Sequence, residues 1–510
     1  MASREAINVY LQSGEGLAKY ANLLIGTPGS QSIIDLESLI GVDNKNCRGL
    51  WLTSSSPYVG GNLYWCFGGV VGYTYQDPLT SAFVSKKLYD IGQGTSRVSM
   101  CDNGFSVSVA TGSIMLNIDI FTDVTTDITT TLPFTNPLQV VYLQGRVYCI
   151  TSDPTSTTNS TLNQVVKNNL IWYSAISKST SWDALGFTSA DLSADPILSI
   201  VIRQGDLWAF GTRSYQVFNT SADQNDPLVY AIGSGSYIGI NAPYSSSSIG
   251  DTVFWLGSNS AGRNVVFNAV GYNSKRISNH GIEEALTRLA TLTTSAYGFS
   301  YQESGHLFYC LTIPAGNYTF EGQEVYSTGK TFVYDVLTEQ WHERASRDPF
   351  TGVLGAWTPL FAAFAWGKVI VGNIESANLM ELRNDIYTDY SPLTPTKSKP
   401  IYRMYQGLVM FDNLQLFTLD EFQFDIVVGH GPLNGLSSNP IMNIQISYDS
   451  GNTWGNLKSC AVPKTGQYAG RVRWLRLGST RGLVVRVSMT EDMQCQWGDA
   501  RIRTRISSYP

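Results

Sequence analysis

The chain has 510 residues, 43% of them apolar and only 15% charged, with a formal net charge of −6. That size exceeds one ordinary domain but suits a β-propeller plus a smaller unit, and the charge excludes a basic wrapper of nucleic acid. Glycine (47) and tyrosine (28) are abundant, a mixture that suits short strands joined by tight turns, because glycine takes positive φ cheaply and tyrosine fits a pleated surface.

In chain order, short apolar and aromatic runs recur at residues 49–52, 62–67, 105–109, 145–150, 206–210, 251–256, 306–310 and 368–372, each opened by a polar turn that often holds glycine. Their spacing of about 40–60 residues is the period of propeller blades. The expected fold is all-β: a propeller of about six to eight blades over residues 1–390, a Pro-rich linker at 391–400, and an antiparallel β-sandwich over 401–510. One helix is predicted near 280–292, where Ile282, Ala285, Leu286 and Leu289 fall on one face, with Ser278 or Asn279 as cap. Within residues 333–341, the Asp335 and Thr338 side chains are suited to pin a kelch-style hairpin turn, with Trp341 anchoring the return strand.

The seven cysteines are scattered and no CxxC pair exists; buried thiols made in a reducing compartment are expected rather than a disulfide frame. Arg4 and Glu5 replace any apolar leader, and no run approaches 18 apolar residues, so neither a signal peptide nor a membrane span is predicted.

His280, His306 and His342, with Glu283 and Glu343, are zinc-type ligands, but their spacing matches no closed motif. Structural hydrogen bonding is the expected role of these histidines, and no catalytic residue, cofactor or metal is predicted. Ser447, Asp449, Gly451, Thr453 and Trp454 fit an Asp-box, a hairpin stabiliser in which the Ser and Asp side chains tie the turn, glycine supplies the special φ and the Trp packs underneath. Residues 223–226 read as a polar loop, because the spacing of a calcium loop is missing. The arginines of the C-terminal tract, Arg471, Arg473, Arg476, Arg481 and Arg486, form either a solvated sheet face or a docking face for an acidic partner.

One run is more specific. It holds Lys275-Arg276-Ile277-Ser278, His280, Glu283 and His306, and closes on Tyr334-Asp335 and Trp341-His342-Glu343-Arg344. With Asn8, Tyr10, Lys19 and the turn 26–29, then Phe210-Gly211, Ser214, Phe218-Asn219-Thr220 and the stretches 239–245, 253–257 and 271–273, it resembles the packaged-DNA stabilisation (tail hub) family of short-tailed bacteriophages. The matches are colinear over residues 1–30 and 205–346. Gly281 stands where the family more often has alanine, and residues 314–328 look like an inserted hairpin. The resemblance implies a structural virion protein that forms a six-copy ring below the portal and the head–tail adaptor ring. Such a hub keeps packaged DNA in the head and carries a tail needle or plug, with tailspikes or fibres as further neighbours. Double-stranded DNA would pass its lumen without sequence-specific contact, and assembly would occur in the host cytoplasm. The alternative reading is a propeller glycosidase or adhesin acting on host-surface polysaccharide, which predicts converging acids at the propeller axis.

Overall fold

The structure, a computed structural model, describes residues 5–13, 22–151, 158–159, 164–165, 169–193, 195–259, 262–320, 322–411, 415–427, 429, 436–468 and 470–506. The fold is all-β, a β-propeller with a C-terminal antiparallel β-sandwich, and its two compact units do not follow chain order. One unit comprises Ser32–Ser327 and Thr358–Glu381; the other comprises Met1–Gln31, Thr328–Trp357 and Leu382–Pro510.

In the first unit, seven innermost strands form a closed ring: Cys47–Leu52, Ser99–Asp102, Pro137–Leu143, Ile197–Arg203, Ser247–Ile249, Tyr297–Glu303 and Pro359–Ala365, each against the next and the last against the first. Each opens a meander running outward, as in Cys47–Leu52, Leu63–Phe67, Val70–Gln76 and Phe83–Asp90. The turn from first to second strand is encoded locally. Gln144-Gly145, Gln204-Gly205, Ser304-Gly305 and Trp366-Gly367 all place both residues at positive φ, the two-residue hairpin geometry whose twist matches that of the strands it joins.

Second strands carry the largest buried side chains, among them Trp65, Trp208 and Trp255, each fully buried. Between blades, apolar rows interleave: Tyr64, Cys66, Val71 and Tyr73 of the first blade pack with Val107, Val109, Leu116 and Ile118 of the second. Each fully buried aliphatic side chain of this kind is worth roughly 1.5–3 kcal/mol. The seventh blade is closed by the opposite end of the chain. Gly29–Asp35 lies outermost on Pro359–Ala365, Lys368–Asn373 and Asn378–Arg383, held by Leu36 N–H to the Ala377 carbonyl and by Asn378 to Ser32. This leaves the ring without a loose terminal strand.

The predicted helix appears as His280–Arg288 followed by Ala290–Thr293. Asn279 is its cap, accepting the Ile282 N–H at 3.0 Å, while Ile282 and Leu286 face the core.

The second unit is built around two large sheets. One runs in the order Lys330–Asp335, Gln340–Arg347, Glu5–Ile7, Arg403–Gln406, Gly482–Met489, Ile441–Ser447, Lys458–Ala461. The other runs Val9–Ser13, Asn22–Gly26, Gln496–Ile506, Phe417–Ile426, Val472–Leu475. Period-2 alternation supplies the core between them: Met442, Ile444, Ile446, Val485 and Val487 from one sheet meet Phe422, Phe424, Val472, Trp474 and Trp497 from the other. The N-terminal strands belong here by pairing, with Glu5 opposite Gln406 and Leu24 opposite Trp497. Residues 391–400, expected as a linker, lie in and between the paired strands Thr388–Tyr390 and Ser398–Pro400, with Ser391 and Lys399 buried. Among the described residues no helix is long and apolar enough to cross a membrane.

Candidate functional site

The hub of the propeller is where enzymes of this fold gather catalytic groups, and here Arg97 fills it. Arg97 leads into the second innermost strand, and its guanidinium donates to the carbonyls of Tyr244 at 3.0 Å, Gly298 at 3.2 Å and Leu360 at 2.9 Å. These acceptors come from the fifth, sixth and seventh blades, so the side chain crosses the axis. It lies 4.0 Å over the Phe361 ring, and burial pushes its pKa down to about 10, leaving it cationic at neutral pH. Other side-chain-to-backbone bonds complete the hub. Gln139 accepts the Ile200 N–H at 2.9 Å and donates to the Pro243 carbonyl at 3.2 Å; Ser99 accepts the Val140 N–H at 3.1 Å; Arg48 donates to the carbonyls of Ser96 and Gly68. Each such bond contributes about 1 kcal/mol net, and more is lost if one partner is removed.

The residues of the 275–344 run serve local geometry in both units. In the propeller unit, Arg276 makes a two-pronged ion pair with Glu283 at 2.6 Å, Glu283 accepts the Ser278 hydroxyl at 2.7 Å, and Ser278 accepts the Val266 N–H at 3.1 Å. This ties the entry of the helix to the fifth blade. The Ile277 N–H donates to Val266 as well, whereas Lys275 and His280 are exposed. His306 is buried, its ring parallel to Phe308 with centroids 5.6 Å apart.

In the sandwich unit, Asp335 accepts the Leu337 N–H at 3.0 Å and the Thr338 hydroxyl at 2.7 Å, pinning the kelch-style turn, and Tyr334 packs on Trp341. His342 is buried with its ring 6.0 Å from Tyr10. Glu343 pairs with Lys330 at 2.9 Å. Arg344 donates to the Pro28 carbonyl and lies 3.6 Å over Trp357. Among the described residues, no three of His, Cys, Asp and Glu are placed to hold a metal ion. All seven cysteines are free thiols; six are buried, and burial pushes Cys66 and Cys495 up to about 12.

In the turn 447–454, Asp449 is the centre of the hydrogen bonding. Asp449 accepts the Thr453 hydroxyl at 2.6 Å, the Thr453 N–H at 2.8 Å and the Ser447 hydroxyl at 2.7 Å, and Gly451 sits at φ +99. These donors hold the Asp449 carboxyl down at about 2. Trp454 is half-buried and covered by the Arg486 guanidinium at 3.8 Å; Arg486 also donates to Gln406 at 3.0 Å.

Arg486 therefore stands apart from the other arginines of the tract. Arg471, Arg473, Arg476 and Arg481 are exposed at the second sheet, where Arg473 and Arg503 share Glu421 at 3.6 and 2.8 Å. Arg501 pairs with Asp425 at 2.9 Å and Arg505 with Asp420 at 2.8 Å.

The structural roles of three features escaped sequence reading. Arg97 carries no motif; only a cation directly ahead of an apolar strand marks it. Asn8, at φ +53 and buried, donates to the carbonyls of Ala345 and Tyr402 and accepts the Ala345 N–H, stitching three distant segments. Asp389, Lys399 and Arg403 are buried charges in the same unit, and burial raises the Asp389 carboxyl above its usual range.

A ring that closes on itself with its hub filled is the build of a scaffold, and the comparisons with known proteins agree. The family model described as Bacteriophage P22 Gp10, beta-propeller, matches residues 71–387, and that described as Bacteriophage P22 Gp10, beta-sandwich, matches residues 402–505. The class is that of structural proteins of the phage virion. The chain belongs to the Bacteriophage P22 Gp10 family, the packaged-DNA stabilisation proteins of short-tailed phages. It has no match among curated proteins. Among solved structures it is similar to the extracellular domain of BT4673 from B. thetaiotaomicron, at 10% identity and TM-score 0.41, covering 84% of this chain and 47% of that one. It is also similar to a chain of a mitotic checkpoint complex, at 10% identity and TM-score 0.37, covering 73% of this chain and 98% of that one. At these TM-scores neither likeness bears on function.

Proposed function

We propose that the protein is the tail hub of a short-tailed phage: a six-copy ring below the portal and adaptor ring that retains packaged DNA and carries the needle or plug, with tailspikes or fibres nearby. The observation that carries this reading is the presence in one chain of both the propeller and the sandwich of the P22 Gp10 family. A closed, bolted propeller suits a load-bearing wall, because it offers no free sheet edge along which to yield. Weak charge and abundant tyrosine suit permanent subunit contacts. DNA would pass between copies and not through a propeller, since an axis filled by Arg97 does not admit a duplex whose major groove alone is about 12 Å wide. The net charge of −6 favours passage over retention by the wall. Assembly takes place in the host cytoplasm, where the free thiols stay reduced.

The test is to produce phage lacking this chain and assay the heads for DNA. Heads that package and then leak, and that are sealed by added protein, support the hub. Heads that hold their DNA and fail only at host entry would move the role to adhesion or glycan cleavage.

A further inference from the structure

Among the described residues the strands Gly316–Phe320 and Gln323–Ser327 pair only with each other, with Asn317 opposite Tyr326 and Tyr318 opposite Val325. A two-stranded ribbon alone is marginal in water. Its base is nevertheless fixed: the hairpin rests on the helix Ala290–Thr293, and Gly316 sits so close that an added Cβ would lie 2.9 Å from the Leu292 side chain. Beyond that base the ribbon projects with Tyr326 65% exposed, Val325 37% exposed and Glu324 in solvent. Residues 314–328 contain two glutamates and no Lys, Arg or His. A pinned base that carries an exposed tyrosine and an exposed glutamate on a free-standing ribbon is a docking arm.

The same chain carries a surface of opposite character. At the second sheet, Arg471 and Arg473 alternate with the buried Val472 and Trp474, and Arg501, Arg503 and Arg505 stand on a strand exposed from residue 499 to residue 506; Asp420, Glu421 and Asp425 pair with these arginines. Five guanidinium groups against three carboxylates leave an excess of positive charge. Arg501, Arg503 and Arg505 keep 69%, 68% and 73% of their side chains exposed, and Leu475, half exposed beside Arg473, offers an apolar seat.

We infer that the Gly316–Ser327 hairpin of one copy docks on this arginine-bearing face of a second copy. Charge complementarity selects the occupant: the arm is the acidic, tyrosine-bearing partner that the face lacks. Arm and face are different patches of one chain, so repeated from copy to copy in one direction the contact is heterologous, the kind that closes rings. The inference rests on the ring reading above and specifies one of its contacts.

The test is sedimentation of the full-length protein and its variants, with thermal melts to confirm folding. The arm variant combines Glu324→Lys with Tyr326→Ala; the face variant is Arg471→Glu. All three positions are exposed, so both variants are expected to melt like the parent. Each is expected to associate at least tenfold more weakly, about 1.4 kcal/mol. Mixed, the two variants retain one intact arm and one intact face between them and are expected to form dimers that grow no further. A parent protein that assembles while the arm variant assembles equally well overturns the inference and leaves the ring reading standing. A mixture that stays monomeric also overturns it, because arm and face are then not partners. A parent that stays monomeric at every concentration overturns the ring reading itself.

Discussion

At the residue scale, the side chains that hold this protein together are polar groups aimed at backbone, and pH exposes one of them. Asp449 is held down at about 2 chiefly by the Thr453 hydroxyl and N–H, against about 3.9 for an aspartate in an unfolded chain. A carboxyl depressed in the folded state contributes stability that is present above pH 4 and lost as the pH falls through about 2. The melting temperature of the parent should therefore fall more steeply between pH 4 and pH 2 than that of Asp449→Asn, which starts lower and changes less. Equal slopes would mean that the turn does not select the ionised form. This residue was legible because an Asp-box acts within eight consecutive positions. Arg97 was not, since its three acceptors lie 147, 201 and 263 residues away. Nor was the balance of the C-terminal arginines, because Asp420, Glu421 and Asp425, which face them, come from a strand far upstream.

At the scale of elements, local rules decided most of what formed. The x-Gly pairs mark the innermost hairpins, and the i, i+3, i+4 spacing located the helix His280–Arg288. Asn279→Ala should cost about 1 kcal/mol by leaving the Ile282 N–H without its cap, read as a shift in the denaturant midpoint. No change would mean that the Ser278–Glu283–Arg276 tie fixes the helix start unaided. The stretch 391–400 reads as a linker because its prolines, Lys and Thr leave little to bury, yet the hairpin around it buries Ser391 and Lys399. Composition says what a segment contributes to a core; it does not say what a core can close over.

On the scale of the whole molecule, fold class and family were legible, because strand grammar and the 275–344 run are properties of the chain order itself. The membership of the compact units was less so. Glu5–Ile7 and Asn22–Gly26 pair with Arg403–Gln406 and Gln496–Ile506, partners hundreds of residues away that no local pattern names. The ring itself makes a prediction. Arg97→Met leaves the carbonyls of Tyr244, Gly298 and Leu360 without their donor in a part-buried hub and should cost about 2 kcal/mol, measured by chemical denaturation. Arg97→Lys should recover little, because one ammonium cannot reproduce the planar fork. Recovery by lysine would show that charge, and not geometry, bolts the hub.

The outermost strand of the last blade, Gly29–Asp35, leaves the ribosome hundreds of residues before the strands it covers. The strand Asn22–Gly26 waits longer still, for Trp497. At about 5–20 residues per second, synthesis of such a chain takes on the order of a minute. Throughout that interval the nascent protein is an open fan with one end untied. Synthesis of these late strands is thus a checkpoint: a chain that stops before Asn378–Arg383 or Gln496–Ile506 lacks a clasp and cannot present the finished surface, so the geometry screens such defective subunits out before any partner meets them.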